Sequence, residues 1–211
     1  MLNELAEGDI LSIDFDAAVI QIVEIGNGQI KARVISSGGV GNNKAVTSLR
    51  PIHLPALTEK DREAIQIGKR LGIGHYALSF ANYGKDVEMF RELVPKGAQI
   101  ISKIESRSGY KHLEEILAAT DMVLIDRGDL SREIPIEMIP FYQKRIIEKA
   151  NKAGKPVYVA TNLLESMTEN PYPTRAEVND VINALTIGAD GLVLAGETAI
   201  GKHPVQTATM I

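Results

Sequence analysis

The sequence predicts an α/β protein, with a small antiparallel β unit followed by strands and helices alternating on a parallel sheet. Three observations carry this reading. Over residues 8–55 short β-rich runs are separated by Gly and Asn. From about residue 57 apolar runs recur between amphipathic stretches. Charged and hydroxyl residues gather directly after those apolar runs.

In the first region, residues 10–14, 18–25 and 29–35 read as strands. Gly26-Asn27-Gly28 between the last two is a hairpin signal, because Gly and Asn tolerate the positive φ of a tight turn. In the second region, strands are expected over 76–80, 99–104, 122–125, 156–160 and 191–194. Helical spacing places Asp86, Val87, Phe90 and Leu93 on one helix, and Leu113, Ile116 and Leu117 on another. Ile146, Ile147 and Ala150 belong to a long third helix that ends at Gly154. Thr174 reads as an N-cap with Glu177 completing a capping box. Strand–helix alternation with buried apolar strands argues for a parallel sheet with right-handed crossovers. Five such units can be counted, whereas a closed (β/α)₈ barrel needs eight. Open α/β sheets also bind ligands at the carboxyl ends of their strands, so position supports a site in either architecture.

Composition excludes several classes. The chain has 211 residues, 45% of them hydrophobic and 24% charged, with a net charge of -4. That is ordinary globular composition, and no basic run marks a nucleic-acid partner. There is no cysteine, which rules out disulfides, thiolate metal sites and a Cys nucleophile. No apolar run approaches a membrane span, and the first seven residues, with two Glu, do not fit a basic targeting peptide. A cytoplasmic location is the expectation. His53, His75, His112 and His203 show no metal-ligand spacing.

The chemistry sits at the strand ends. Ser79 follows the first parallel strand, Lys103 and Glu105 end the second, and Arg127-Gly128-Asp129 follow the third. Thr161 follows the fourth and Gly196-Glu197-Thr198 the fifth. Positions two apart on a strand face the same side, so Lys103 and Glu105 point together. Asp129, from the neighbouring strand, can approach Glu105. Two carboxylates so placed suit Mg²⁺ or Mn²⁺, hard cations that keep coordination positions open for substrate. Such a metal polarises a carbonyl or steadies an enolate oxygen, and Lys103 adds positive charge there. Gly128 frees backbone N–H groups to face an anion, and Thr161 can donate its hydroxyl to the same group or cap a helix.

Nine motifs then occur in one order: Ile101-Ser102-Lys103-Ile104-Glu105, Arg127-Gly128-Asp129-Leu130, Glu133-Ile134-Pro135, Ala160-Thr161, Leu164-Glu165-Ser166-Met167, Pro173-Thr174-Arg175-Ala176-Glu177, Asp180-Val181, Asn183-Ala184 and Gly196-Glu197-Thr198-Ala199. In that order they resemble the pyruvate kinase family. The segment from His53 to Asp61 resembles that family's re-entry from its small β domain into the barrel. Gly39-Val40-Gly41-Asn42 and Lys44 resemble the end of the β domain itself.

The resemblance implies a partial or completed (β/α)₈ TIM-type barrel segment. Residues 1–55 would be the end of the β domain, and residues 56–211 barrel strands four to eight. It implies phosphoryl transfer between phosphoenolpyruvate and a nucleoside diphosphate, that is, pyruvate with ATP in the reverse sense. Lys103 matches the catalytic lysine, and Glu105 and Asp129 the Mg²⁺ or Mn²⁺ ligands. Gly128, Asp129 and Thr161 match the substrate-carboxylate cradle. Arg127 and Ser79 take supporting places at the rim, and Lys44 a nucleotide-side place.

The family's K⁺ site and phosphate arginine lie on the first three barrel strands, which have no counterpart here. Arg175 and Glu177 match a helix near a subunit contact, so a homo-oligomer or a partner chain is implied. Two alternatives keep part of this reading. One is a metal-dependent enzyme of the pyruvate enolate, an oxaloacetate decarboxylase or aldolase. The other is a truncated, non-catalytic binding or regulatory paralogue.

Overall fold

A computed structural model describes residues 4–14, 17–26, 28–42, 44–50, 52 and 54–211. Residues 1–3, Asn27 of the expected hairpin and His53 lie outside the described residues. The chain divides into two compact units, Met1–Pro55 and Ala56–Ile211.

The first unit is a four-stranded antiparallel sheet in the order β3-β2-β1-β4. Its strands are β1 (Ile10–Ile13), β2 (Ala18–Gly26), β3 (Gln29–Ser36) and β4 (Val46–Ser48). The first three stand where the sequence predicts strands. The three-residue β4 carries no periodic signal of its own, yet Val46, Thr47 and Ser48 pair with Ile13, Ser12 and Leu11. Leu11, Ala18 and Ile22 are its buried apolar residues among those described. Asp9 is tied down by Arg50, whose Nε and Nη2 each donate to one carboxylate oxygen at 2.7 Å.

The second unit holds a parallel sheet of five strands, order β5-β6-β7-β8-β9. These are β5 (His75–Leu78), β6 (Gln99–Ile104), β7 (Met122–Asp126), β8 (Val157–Ala160) and β9 (Gly191–Val193). Each strand pairs with its sequence neighbour, and β5 and β9 stand at the edges. Barrel closure is therefore not what the described strands form; they make the partial arrangement.

Around them lie α1 (Glu59–Arg70), α2 (Gly84–Leu93), α3 (Arg107–Lys111), α4 (Leu113–Ala119), α5 (Arg127–Leu130), α6 (Ile139–Lys152), α7 (Arg175–Ile187), α8 (Gly196–Ala199) and α9 (Pro204–Met210).

Local sequence explains the helix ends. Thr58 with Asp61 and Thr174 with Glu177 form capping boxes at α1 and α7. Gly188 ends α7 at φ +112°, a left-handed cap that glycine accepts without a Cβ penalty. Leu113, Ile116 and Leu117 lie on α4 as expected, and a separate short helix, α3, precedes it and meets it at His112. Gly109 lets α3 press on the loop after β5, because a Cβ there would lie 2.7 Å from the Ala81 carbonyl oxygen.

Burial is one-sided. Ile100, Ser102 and Ile104 of β6, Val123 and Ile125 of β7, and Val157 and Val159 of β8 have no exposed surface. They share a core with Val87 and Phe90 of α2, Leu113 and Ile116 of α4, and Ile146 and Ile147 of α6. Each fully buried aliphatic side chain of this kind contributes roughly 1.5–3 kcal/mol. The one polar member of the row, Ser102, donates to Thr120 Oγ1 at 2.9 Å, and Thr120 in turn donates to the Ile100 carbonyl. The alternate row, with Ile101, Lys103, Leu124 and Tyr158, is only partly buried.

Candidate metal and anion site

The parallel register aligns Lys103 with Leu124 and Asp126 with Ala160. Period-two alternation then brings Lys103, Glu105 and Asp126 to one end of the less buried row. The Lys103 ammonium lies 2.5 Å from Glu105 Oε1 and 3.0 Å from Asp126 Oδ2. Glu105 is 1% exposed. Its Oε2 accepts the Phe80 N–H at 2.5 Å, and Phe80 reaches that pose with φ +49°. Phe80 was expected to end β5, but the strand stops at Leu78 and this turn begins. Ser79 lies exposed in the same turn.

Asp129 stands one helical turn beyond β7, in α5, with Oδ1 3.1 Å from Arg132 Nη2. Carboxylate oxygens of Glu105, Asp126 and Asp129 all lie within 4.8 Å of one another. Glu105 Oε1 is buried and has the Lys103 ammonium as its partner. Carboxylate oxygens gathered this closely suit a hard divalent cation. Burial pushes the Glu105 carboxyl above its ordinary value, against the pull of Lys103 and the Phe80 N–H. Burial alone would lower Lys103, but Glu105 and Asp126 outweigh it and hold the ammonium above its usual value.

Thr161 completes the arrangement at the end of β8. Its Oγ1 accepts the Gly128 N–H at 2.8 Å and lies 3.4 Å from Asp126 Oδ1. The Asp129 N–H points to Asp126 Oδ1 at 3.4 Å. Thr161 and Asn162 both occupy the left-handed region, at φ +69° and +52°. Such conformations cost non-glycine residues about 1–3 kcal/mol and persist where neighbours enforce them. Arg127 is the enforcer. Its Nε and Nη2 donate to the Thr161 carbonyl at 3.1 and 2.5 Å, and its Nη1 donates to Asp180 of α7 at 2.5 Å.

The second unit thus brings together Lys103, Glu105, Arg127, Gly128, Asp129 and Thr161. Lys44 lies in the first unit, where it pairs with Asp14 at 2.8 Å.

One residue went unread in the sequence, and a second was named there without a role. Asp126 passes for the polar end of an apolar run, although it sits two positions beyond Leu124, on the Lys103 side. Glu197, 3% exposed, accepts the N–H groups of Leu163, Leu164 and Ala195, so it braces the loops after β8 and β9. Only its place in the Gly196-Glu197-Thr198 motif marked it.

The chain has counterparts among known proteins. The family described as pyruvate kinase, barrel domain, matches residues 1–208. The chain belongs to the pyruvate kinase family. The pyruvate kinase of Sporosarcina psychrophila is 41% identical over 214 residues, covering 98% of this chain and 36% of the relative. That of Thermotoga maritima is 38% identical over 213 residues, covering 99% and 46%. The crystal structure of a pyruvate kinase from Cryptosporidium parvum superposes with a TM-score of 0.85 at 35% identity, covering 99% of this chain and 44% of that one. The chain therefore spans less than half the length of these pyruvate kinases.

Proposed function

We propose that the second unit carries the metal and enolate half of a pyruvate kinase-type phosphotransferase, acting between phosphoenolpyruvate and ADP. The observation that carries this reading is the meeting of Lys103, Glu105 and Asp129 at the ends of β6 and β7, with Thr161 and Gly128 in contact beside them.

Glu105 and Asp129 would hold Mg²⁺ or Mn²⁺, which supplies charge stabilisation at an enolate oxygen. Lys103 sets a fixed positive charge where the enolate and the transferred phosphoryl group carry negative charge. Thr161 and the Gly128 and Asp129 amides orient a substrate carboxylate, exchanging their present hydrogen bonds to Ala160, Thr161 and Asp126 for bonds to it. The braced left-handed backbone at Thr161 keeps that hydroxyl aimed at the site. Lys44 remains the candidate on the nucleotide side. On α7, exposed Val178, Ile182 and Leu185 form one stripe, which supports the reading of an oligomer.

The test is a calorimetric titration of the chain with Mn²⁺ and then with oxalate, an analogue of the pyruvate enolate. Oxalate is expected to bind only after Mn²⁺, and Asp129→Ala is expected to abolish this. Mn²⁺ binding should weaken as pH falls, starting above the usual carboxylate range, because protons compete for Glu105. Metal-independent oxalate binding, or binding unchanged in Asp129→Ala, would overturn the reading. A coupled assay then separates phosphoryl transfer from oxaloacetate decarboxylation.

A further inference from the structure

Lys103 has two carboxylate partners, and a divalent cation can leave it only one. Glu105 Oε2 is engaged by the Phe80 N–H. A cation binding Glu105 must therefore take Oε1, the oxygen the ammonium now occupies at 2.5 Å. Two positive charges cannot share that buried oxygen, so the ammonium has to move off it. Asp129 is committed elsewhere, to the cation itself and, through Oδ1, to Arg132 at 3.1 Å.

Asp126 is built for the purpose. It is the N-cap residue of α5, with Oδ1 accepting the Asp129 N–H at 3.4 Å. That fixes the carboxylate plane and leaves Oδ2 on the ammonium at 3.0 Å.

We propose that Asp126 is a positioning residue that retains the Lys103 ammonium at the site when a divalent cation occupies Glu105. This rests on the metal reading above. Asp126 keeps Lys103 beside the cation without being displaced by it. Without it the side chain would swing out toward solvent on metal binding, removing positive charge from the place where substrate charge develops.

The experiment measures the rate at which an amine-reactive reagent labels Lys103, resolved by mass spectrometry, with and without Mn²⁺. Lys149, paired with Glu114 on the helical layer, serves as the internal reference. The full 211-residue chain is compared with Asp126→Asn and Asp126→Ser. Both substitutions keep an oxygen that can cap α5, so the local fold has its acceptor.

In the unsubstituted chain Mn²⁺ should change Lys103 labelling by less than about twofold. In both variants it should raise labelling severalfold, because the ammonium then has no carboxylate left to hold it at the site. A structural role alone would not make that change depend on Mn²⁺. Labelling that rises with Mn²⁺ in the unsubstituted chain, or responds alike in all three proteins, overturns the proposal. Mn²⁺ binding is followed in the same samples by electron paramagnetic resonance. An unsubstituted chain that binds none overturns the metal reading itself, and this inference with it.

Discussion

The guanidinium of Arg127 joins three parts of the second unit: the end of β7 that carries it, the left-handed carbonyl of Thr161 and Asp180 on α7. Its side chain is only 10% exposed, so these bonds form in a poorly hydrated place where a flat fork of donors serves better than a point charge. Arg127→Lys keeps the charge and loses the paired bonds to Thr161. It is expected to cost about 2–3 kcal/mol, read by urea unfolding, because buried acceptors lose their partners. Oxalate binding to the Mn²⁺-loaded protein should weaken alongside, since Thr161 loses its brace.

At this scale the sequence was legible where chemistry is local. Lys103 and Glu105 show themselves two positions apart on one strand. The Arg127–Asp180 pair spans 53 positions, and no spacing rule reaches that far. Asp126 was hidden for another reason: a carboxylate closing an apolar run looks like an ordinary strand end until a neighbouring strand puts an ammonium beside it.

Among the elements, α7 shows how a cap can fasten more than its own helix. Glu177 accepts from the Thr174 N–H and hydroxyl, as a capping box requires, and also from the Ser166 N–H and hydroxyl in the preceding turn. Thr174→Ala is expected to cost about 1 kcal/mol, the usual loss for a cap. Glu177→Ala should cost more, roughly 2–3 kcal/mol, because it also frees the Ser166 donors. Thermal denaturation of the two variants checks the order; equal losses would show that the Ser166 bonds contribute nothing.

The capping box could be read from Thr174 and Glu177 because its rule is local, and the long helices from their 3.6-residue periodicity. β4 could not be read, since three residues give alternation no room and its pairing with β1 is long-range. The division at His112 between α3 and α4 was equally silent. The close approach of Gly109 to Ala81 is likewise a tertiary contact that no local rule reveals.

Across the whole molecule, the two units differ in how they are held. The first has a small apolar core, so a single ion pair carries more weight there. The Arg50 guanidinium bonded to both oxygens of Asp9, helped by the Ala6 N–H, lowers that carboxyl from 3.8 to about 2. A depressed carboxyl contributes stability that is complete above its unfolded value and fades as pH falls through the folded one. Amide protection factors in β1 and β2, taken relative to the intrinsic exchange rate at each pH, should therefore fall between pH 3.8 and about 2, and Asp9→Asn should remove that dependence. Protection that is flat over this interval in the unsubstituted chain would contradict the assignment.

In the second unit the parallel sheet separates two kinds of constraint. On the helix-facing row, Ile100, Ile104, Val123, Ile125, Val157 and Val159 answer to volume, and almost any replacement disturbs their neighbours. The other row answers to charge and reach at its end, where Lys103, Glu105 and Asp126 stand. An ancestral chain could thus exchange the groups at positions 103, 105 and 126 while every packed methyl stayed in place. Heritable change in chemistry and heritable change in architecture run on opposite faces of one sheet, which leaves a scaffold of this kind free to diversify its reactions without first surviving a loss of stability.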